Sequence, residues 1–168
     1  MAGRRRSAEF LAAVCLLAGA PHAAAVDIAV IVARDTPERT LDAGTLRDIY
    51  LKKIFLDASG RRLIPVNLPA DAPLREAFTQ ALFRKSSEEL QDYWNQNYFH
   101  GITPPYVLAS EDAVLRFVAQ TPGAIGYVAD CHLKPDVRLI MVLTPGPDLA
   151  ADIASTCARG GDGSVQPH

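Results

Sequence analysis

The chain of 168 residues lacks the features that define several classes of protein. Its 17 basic and 19 acidic residues give a net charge of -2, so it has no basic excess of the kind that binds the phosphate backbone of nucleic acids. No apolar run reaches the roughly 20 residues of a membrane span. The composition, 49% hydrophobic and 21% charged, also excludes a disordered tail or a collagen-like repeat. One ordinary globular domain remains.

Catalytic and metal-binding motifs are also scarce. No Gly-x-Ser-x-Gly elbow is present, and the histidines outside the first 25 residues are only His100, His132 and His168. Cys131 and His132 are adjacent, but no second pair of ligands matches them, whereas zinc takes three or four. The sequence therefore predicts no enzyme, no cofactor and no metal site. We expect His100 and His132 to be surface or loop-anchoring residues.

Residues 1–25 have the pattern of a secretory signal peptide. Arg4, Arg5 and Arg6 precede an apolar run at residues 10–20, which ends at Pro21 before three small residues. We predict cleavage after Ala25 and a periplasmic or secreted protein; a membrane anchor is the alternative, although the run is short for one. Removing 25 of 168 residues leaves 143 that carry a charge of -4 and are not expected to span a membrane.

Cys131 and Cys157 are the two cysteines that remain after such a cleavage. Exported proteins usually meet an oxidising compartment, which favours a disulfide between them. That bond would close a loop of about 26 residues and stabilise the fold by about 3 kcal/mol. The alternative is two unpaired thiols, one buried and one in a mobile tail.

Hydrophobic periodicity divides the rest of the chain into alternating strands and helices. We predict strands at residues 28–32, 63–68, 124–128 and 138–143. Helices are predicted to begin after Asp42, at Pro73, after Ser86 and after Ser110, and a short helix is predicted at 148–157. Ser86 and Glu89 form a capping box. Pro65 places its strand near a sheet edge or at a strand start. The order predicts a single α/β layered domain at residues 26–145, with a partly disordered extension at 146–168.

Aromatic residues gather around the third of these helices and its exit, at Tyr93, Trp94, Tyr98, Phe99 and Tyr106. We expect most of them to belong to the core. An exposed remainder could form a partner surface, because a small lobe often needs something to cover it.

The junction from Asn67 to Arg75 is the best candidate for a polar-ligand site. A strand ends there and a helix begins, so free N–H groups and the positive end of a helix dipole face the crevice, and Arg75 could add a two-pronged contact to an anion. Asp71 could instead cap the helix without any ligand, and Pro73 removes one donor. Self-capping and an anion site both remain open, with self-capping favoured.

The segment Gly123-Ala124-Ile125-Gly126 is a weaker candidate. It precedes a predicted strand, whereas a phosphate cradle follows a strand and opens a helix. The pattern favours a turn that leads into a buried strand, approached closely by other backbone, over direct contact with a ligand.

Three segments together resemble the substrate-binding proteins of phosphate ABC transporters, within the type 2 periplasmic-binding-protein superfamily. They are LRDIYLKK at 46–53, IPVNLP at 64–69 with LREAF at 74–78, and TPGAIGYV at 121–128. The last is the most specific, and the resemblance covers about residues 28–142. It implies one periplasmic-binding-protein-like lobe, with a mixed sheet flanked by helices. It also implies a small oxyanion such as phosphate as ligand, bound near Asn67, Asp71, Ala72, Leu74 and Arg75, and a membrane transporter as partner.

The departures from the family are equally informative. A full-length member closes two lobes around its ligand, and this chain resembles the second lobe alone. The family's phosphate-contacting Ser-Gly-Thr aligns with Ala72-Pro73-Leu74, so both hydroxyls and the glycine are absent, and Asp71 adds negative charge. We therefore expect weakened or lost ligand binding. The alternative function is a ligand-free accessory or sensory module that docks on a periplasmic or membrane protein.

Overall fold

The computed structural model describes residues 26–37 and 41–160. The predicted signal peptide at 1–25 and the last residues, 161–168, lie outside this part of the chain. In chain order the elements are β1 (Ile28–Ala33), α1 (Ala43–Tyr50), β2 (Ile64–Asn67), α2 (Pro73–Phe83), α3 (Ser87–Tyr98), β3 (Tyr106–Val107), α4 (Glu111–Gln120), β4 (Ala124–Ala129), a 3-10 turn (Asp130–His132), β5 (Val137–Leu143) and α5 (Pro147–Gly160).

The five strands form one mixed sheet in the order β3-β2-β4-β1-β5. β2 runs parallel to both β3 and β4, whereas β1 is antiparallel to β4 and β5. Every residue of β1 and β4 is buried, as the continuous apolar sequence of β1 predicts for a strand covered on both faces. The predicted α/β class with a mixed sheet flanked by helices is confirmed.

Helices cover both faces of this sheet. α4 packs so closely over β4 that a Cβ atom on Gly126 would lie 2.6 Å from Cγ1 of Val114. The next residue of β4, Tyr127, points to the opposite face, where its ring stacks on Phe78 of α2 at a centroid distance of 3.8 Å. Tyr50 of α1 packs against the same Phe78 ring at 4.8 Å.

The predicted helix starts are confirmed in atomic detail. Oδ1 of Asp42 accepts a hydrogen bond from the Thr45 N–H at 2.9 Å, and Oγ of Ser110 accepts one from the Ala113 N–H at 3.2 Å. The capping box of Ser86 and Glu89 is complete, because each side chain accepts the other residue's backbone N–H. Each motif acts over about one turn of helix, which is why sequence spacing reveals it.

The four predicted strands do not include β3, whose two residues pair with Val66 and Asn67 of β2. The expectation that most of the aromatic residues around the third helix belong to the core is wrong. Of the five aromatic residues, only Trp94 is buried and Tyr93 half-buried; Tyr98, Phe99 and Tyr106 are 67%, 88% and 68% exposed. The helix exit is therefore an aromatic surface and not core. Pro65, as expected, lies at a strand start, before the residues that pair with β3.

The predicted disulfide between Cys131 and Cys157 is present, with the two Cα atoms 6.1 Å apart. It ties α5 to the 3-10 turn that follows β4. α5 also packs against α2, and its Ile153 side chain is fully buried in the main hydrophobic cluster. The helix thus belongs to the packed lobe; the division at residue 145 and the disordered extension stay predictions.

Candidate functional site

The parallel strands β2 and β4 end at the same edge of the sheet, and the candidate ligand residues lie along this edge. β2 ends at Asn67, and the chain then turns into α2. β4 ends at Ala129, next to the first turn of α4, because the Glu111 carboxylate accepts the Ala129 N–H at 2.7 Å. Ligands of open α/β sheets bind at such an edge, outside the carboxyl ends of the strands. The N-termini of α2 and α4 both face it.

The N-terminus of α2 offers few free donors. Ala72, not Asp71, is the N-cap residue, and no side chain caps this helix. The favoured self-capping by Asp71 is therefore wrong, and the Asp71 side chain is exposed. Pro73 has no N–H, and the N–H groups of Arg75 and Glu76 both donate to the Ala72 carbonyl, at 2.9 and 3.2 Å. Leu74 N–H is the one donor of this turn without an acceptor among the described residues. The Leu74 side chain itself is buried in the core.

Arg75 is directed largely inward. Its Nη1 donates to the Leu68 carbonyl at 3.3 Å, and its buried Nε has no hydrogen-bond partner within the described part of the chain. The side chain lines a cavity of about 10 Å³ together with Asn67, Phe78 and Trp94. That volume holds about one water molecule and excludes a tetrahedral oxyanion.

Asn67 is also occupied by the fold. Its side chain is 5% exposed, and its Oδ1 accepts a hydrogen bond from the Tyr127 hydroxyl at 3.2 Å. The same hydroxyl accepts the Leu68 N–H at 3.3 Å. Burial is the main reason why the pKa of Tyr127 rises to about 12, although the nearby Arg75 opposes that rise. Sequence reasoning missed this role of Tyr127, because the residues that it joins are about 60 positions apart.

The N-terminus of α4 is already filled by its own side chains. Besides the Ser110 cap, Glu111 Oε2 lies 3.0 Å from Nδ1 of His132 while it accepts the Ala129 N–H. Asp112 pairs with Lys134 at 2.7 Å, and this hydrogen bond and charge lower the pKa of Asp112. His132 is thus a loop-anchoring residue, as predicted, and His100 is exposed at the surface. The carboxylates of Glu111 and Asp112 thus place negative charge at the edge of the sheet where an anion would bind.

The segment from Gly123 to Gly126 allows close packing within the fold. Gly123 has a φ of +86°, and a Cβ atom there would lie 2.1 Å from the Arg62 carbonyl oxygen. Gly126 lies under α4, where its close neighbours are the side chains of Val114, Val118 and Val66. The expected turn into a buried strand, with backbone approaching closely, is confirmed.

A separate apolar cavity of about 290 Å³ opens at the opposite end of the sheet, where β4 begins. Apolar side chains of Leu41, Ile49, Leu63 and Ile140 are among those that line it. It shares no residue with the junction between β2 and α2. The candidate ligand residues are therefore not part of this cavity.

The lobe has the fold of substrate-binding proteins, as comparison with solved structures shows. One match is described as a phosphate ABC transporter substrate-binding protein with bound phosphate, from Clostridium perfringens. It has a TM-score of 0.57 and 15% identity over 80% of this chain and 62% of its own. Another is an ABC-type phosphate transport receptor from Vibrio cholerae, with a TM-score of 0.56 and 17% identity over 76% of this chain and 52% of its own. The chain therefore spans between about half and two thirds of these proteins, and at such identities the likeness shows the fold alone.

Comparisons at the level of sequence add nothing to this likeness. No protein-family model and no curated protein sequence matches the chain. Among the helices that the structure describes, none is long and apolar enough to cross a membrane.

Proposed function

We propose that the chain is an exported, non-enzymatic lobe. It descends from solute-binding proteins that deliver a small oxyanion such as phosphate to an ABC transporter. Its own phosphate binding is weak or lost. The fold it shares with phosphate-transport proteins supports the ancestry. The observation that supports the loss is the start of α2, where one backbone N–H has no acceptor among the described residues and Arg75 donates to the Leu68 carbonyl. A phosphate there would also meet the exposed Asp71 carboxylate.

A thermal-shift comparison of oxyanions tests this proposal. A ligand that binds only the folded state stabilises it by RT ln(1 + [L]/Kd), so 1 mM phosphate would add about 4 kcal/mol at a Kd of 1 μM but at most about 0.4 kcal/mol at a Kd of 1 mM or weaker. We expect phosphate to raise the melting temperature no more than sulfate does at equal ionic strength. A large shift that only phosphate produces would contradict the proposal.

Asp71 provides a matched pair of variants. Asp71→Asn removes the negative charge beside the helix start, so we expect it to strengthen the residual phosphate affinity several-fold at low salt. Asp136→Asn removes an equally exposed carboxylate just before β5, at the opposite end of the sheet, and should leave the affinity unchanged. Equal effects of the two substitutions would indicate that the net charge of the protein, and not a specific site beside Asp71, determines the affinity.

Export is tested separately from ligand binding. The fold shared with a substrate-binding protein of an ABC transporter and the pattern of residues 1–25 both support it. We expect protein recovered from the periplasmic fraction to begin at Val26, as measured by mass spectrometry of the intact chain. Recovery of uncleaved chain from the membrane fraction would favour an anchor instead.

A second candidate function is a ligand-free accessory or sensory module. The exposed aromatic side chains of Tyr98, Phe99 and Tyr106 favour it, because exposed aromatic groups are enriched where proteins bind one another. A partner captured from the cell envelope by the wild-type lobe should be lost with Phe99→Ser. Capture that persists with this variant would exclude the aromatic surface as the docking site.

A further inference from the structure

The fold brings Cys131, His132 and Cys157 together at the end of β4. Both sulfur atoms and a ring nitrogen of His132 lie within 4.8 Å of one another. Cys131 and His132 alone are two adjacent ligands, too few for a metal site; α5 supplies the third from 25 residues further along the chain. All three side chains lie at or near the surface, Cys131 being exposed and the other two half-buried.

His132 is held in the way that metal-binding histidines are held. Glu111 Oε2 lies 3.0 Å from Nδ1, and Glu111 is itself fixed by the Ala129 N–H. A carboxylate accepts from Nδ1–H, which leaves the lone pair on Nε2. A carboxylate behind the imidazole is the usual outer partner of a metal ligand, where it orients the ring and raises its basicity.

We propose that this cluster binds one zinc-class divalent cation when the disulfide is reduced. A dithiol reductant transfers two hydrogen atoms to the disulfide, which gives two cysteine thiols and the oxidised, cyclic form of the reductant. The cation then displaces one proton from each thiol, so two thiolates and the neutral imidazole become its ligands, and a water molecule takes the fourth position. Disulfide and metal exclude each other, because both use the same two sulfur atoms.

The geometry fits such a site with little movement. Tetrahedral zinc with Zn–S distances of about 2.3 Å places its two sulfur ligands about 3.8 Å apart. The two Cα atoms are 6.1 Å apart, and the two sulfur atoms and a ring nitrogen of His132 already lie within 4.8 Å of one another, so the imidazole is next to both sulfurs. Zinc would also replace the covalent tether between α5 and the 3-10 turn. This inference is independent of phosphate, since none of its residues belongs to the junction between β2 and α2.

Cobalt(II) titration tests the proposal, because thiolate-bound tetrahedral Co²⁺ absorbs strongly and zinc displaces it. The protein is reduced with dithiothreitol, desalted without oxygen and titrated, in parallel with the oxidised protein. We expect one Co²⁺ per reduced chain, with thiolate charge-transfer absorption that Zn²⁺ abolishes, and no such site in the oxidised chain. Equal binding by the oxidised protein, or no stoichiometric binding by the reduced one, would overturn the proposal.

Two histidine variants separate the site from binding by the thiols alone. His132→Gln should weaken the affinity of the reduced protein for Zn²⁺ at least tenfold, whereas His100→Gln, at an exposed position elsewhere, should leave it unchanged. Glu111→Gln should weaken binding by about 10- to 100-fold through the orientation of His132. Equal affinities of the His132 and His100 variants would refute the assignment.

The melting temperature of the reduced wild type should rise on addition of Zn²⁺ even if reduction loosens the fold. No rise would also refute the metal site.

Discussion

Substitution of Gly126 by alanine tests the close approach of α4 to β4. The new Cβ atom would lie 2.6 Å from Val114 Cγ1, 3.0 Å from Val118 Cγ2 and 3.2 Å from Val66 Cγ2, where carbon atoms ordinarily stay about 3.5 to 4.0 Å apart. Valine in a helix has one strongly preferred rotamer, so Val114 and Val118 cannot simply rotate away. Overpacking costs about 1 to 3 kcal/mol, and removal of a strand glycine returns about 0.5 to 1 kcal/mol.

We therefore expect Gly126→Ala to lower the free energy of unfolding by about 1 to 2 kcal/mol. This corresponds to a fall of about 3 to 7 °C in melting temperature for a lobe of this size. Urea denaturation followed by circular dichroism measures the change. Gly146→Ala is the steric control, because nothing lies within 4 Å of a Cβ atom there. The Gly146 carbonyl accepts the Ala150 N–H at the start of α5, so the substitution should cost at most about 0.5 to 1 kcal/mol as a helix-cap change, and less than Gly126→Ala. A Gly126 variant as stable as the wild type would refute the packing of α4.

A double-mutant cycle identifies the clashing group. Val114→Ala alone should cost about 2 kcal/mol, because it empties part of a fully buried position. In the double variant, the new methyl group at position 126 occupies space that Cγ1 of Val114 has vacated. The combined loss should then be smaller than the sum of the two single losses by at least about 1 kcal/mol. Simple additivity would mean that Val114 is not the neighbour that resists the substitution.

Three further predictions concern the interior and the disulfide. Tyr127→Phe should lower the free energy of unfolding in urea by about 2 kcal/mol, because it leaves Asn67 Oδ1 and the Leu68 N–H without their buried partner. Tyr98→Phe at the exposed helix exit should leave that free energy unchanged. Equal losses would contradict the hydrogen bonds assigned to the Tyr127 hydroxyl. Burial raises the pKa of Tyr127 to about 12, above the value near 10 of a free tyrosine, so its contribution should be complete below pH 10 and decline as the pH rises from about 10 to 12. Because burial also raises the pKa of Tyr50, the difference between melting curves of the wild type and Tyr127→Phe across that range measures this decline. Replacement of Cys131 and Cys157 by serine should lower the free energy of unfolding by about 3 kcal/mol, and a loss below about 1 kcal/mol would show that the bond does not restrain the unfolded chain.

Features that depend on neighbouring residues were predictable from the sequence. Asp42 and Ser110 each cap a helix by accepting an N–H three residues away, so spacing alone identifies them. The unbroken apolar sequence of β1 indicated a strand covered on both faces. The segment from Gly123 to Gly126 indicated a turn into a buried strand, with close backbone approach that the structure shows at Gly123. The cysteine pair was predictable from the compartment that the first residues imply.

Features that depend on distant pairing were not predictable. Nothing in the spacing links Tyr127 to Asn67, and β3 exists only because its two residues lie beside the end of β2. A helical stripe predicts burial only where another element covers it. No element of the described chain covers the exit of α3, so Tyr98 and Phe99 are exposed there. The orientation of Arg75 toward the Leu68 carbonyl likewise follows from the packed lobe.

The proposed loss of phosphate binding is tested most directly by isothermal titration calorimetry of the disulfide-bonded protein with inorganic phosphate. With one free N–H at the start of α2 and Arg75 bonded to the Leu68 carbonyl, we predict a Kd weaker than about 1 mM, equivalent to a binding free energy of no more than about 4 kcal/mol. No saturable heat should appear at micromolar protein. A stoichiometric isotherm with a Kd near 1 μM, about 8 kcal/mol, would contradict the account.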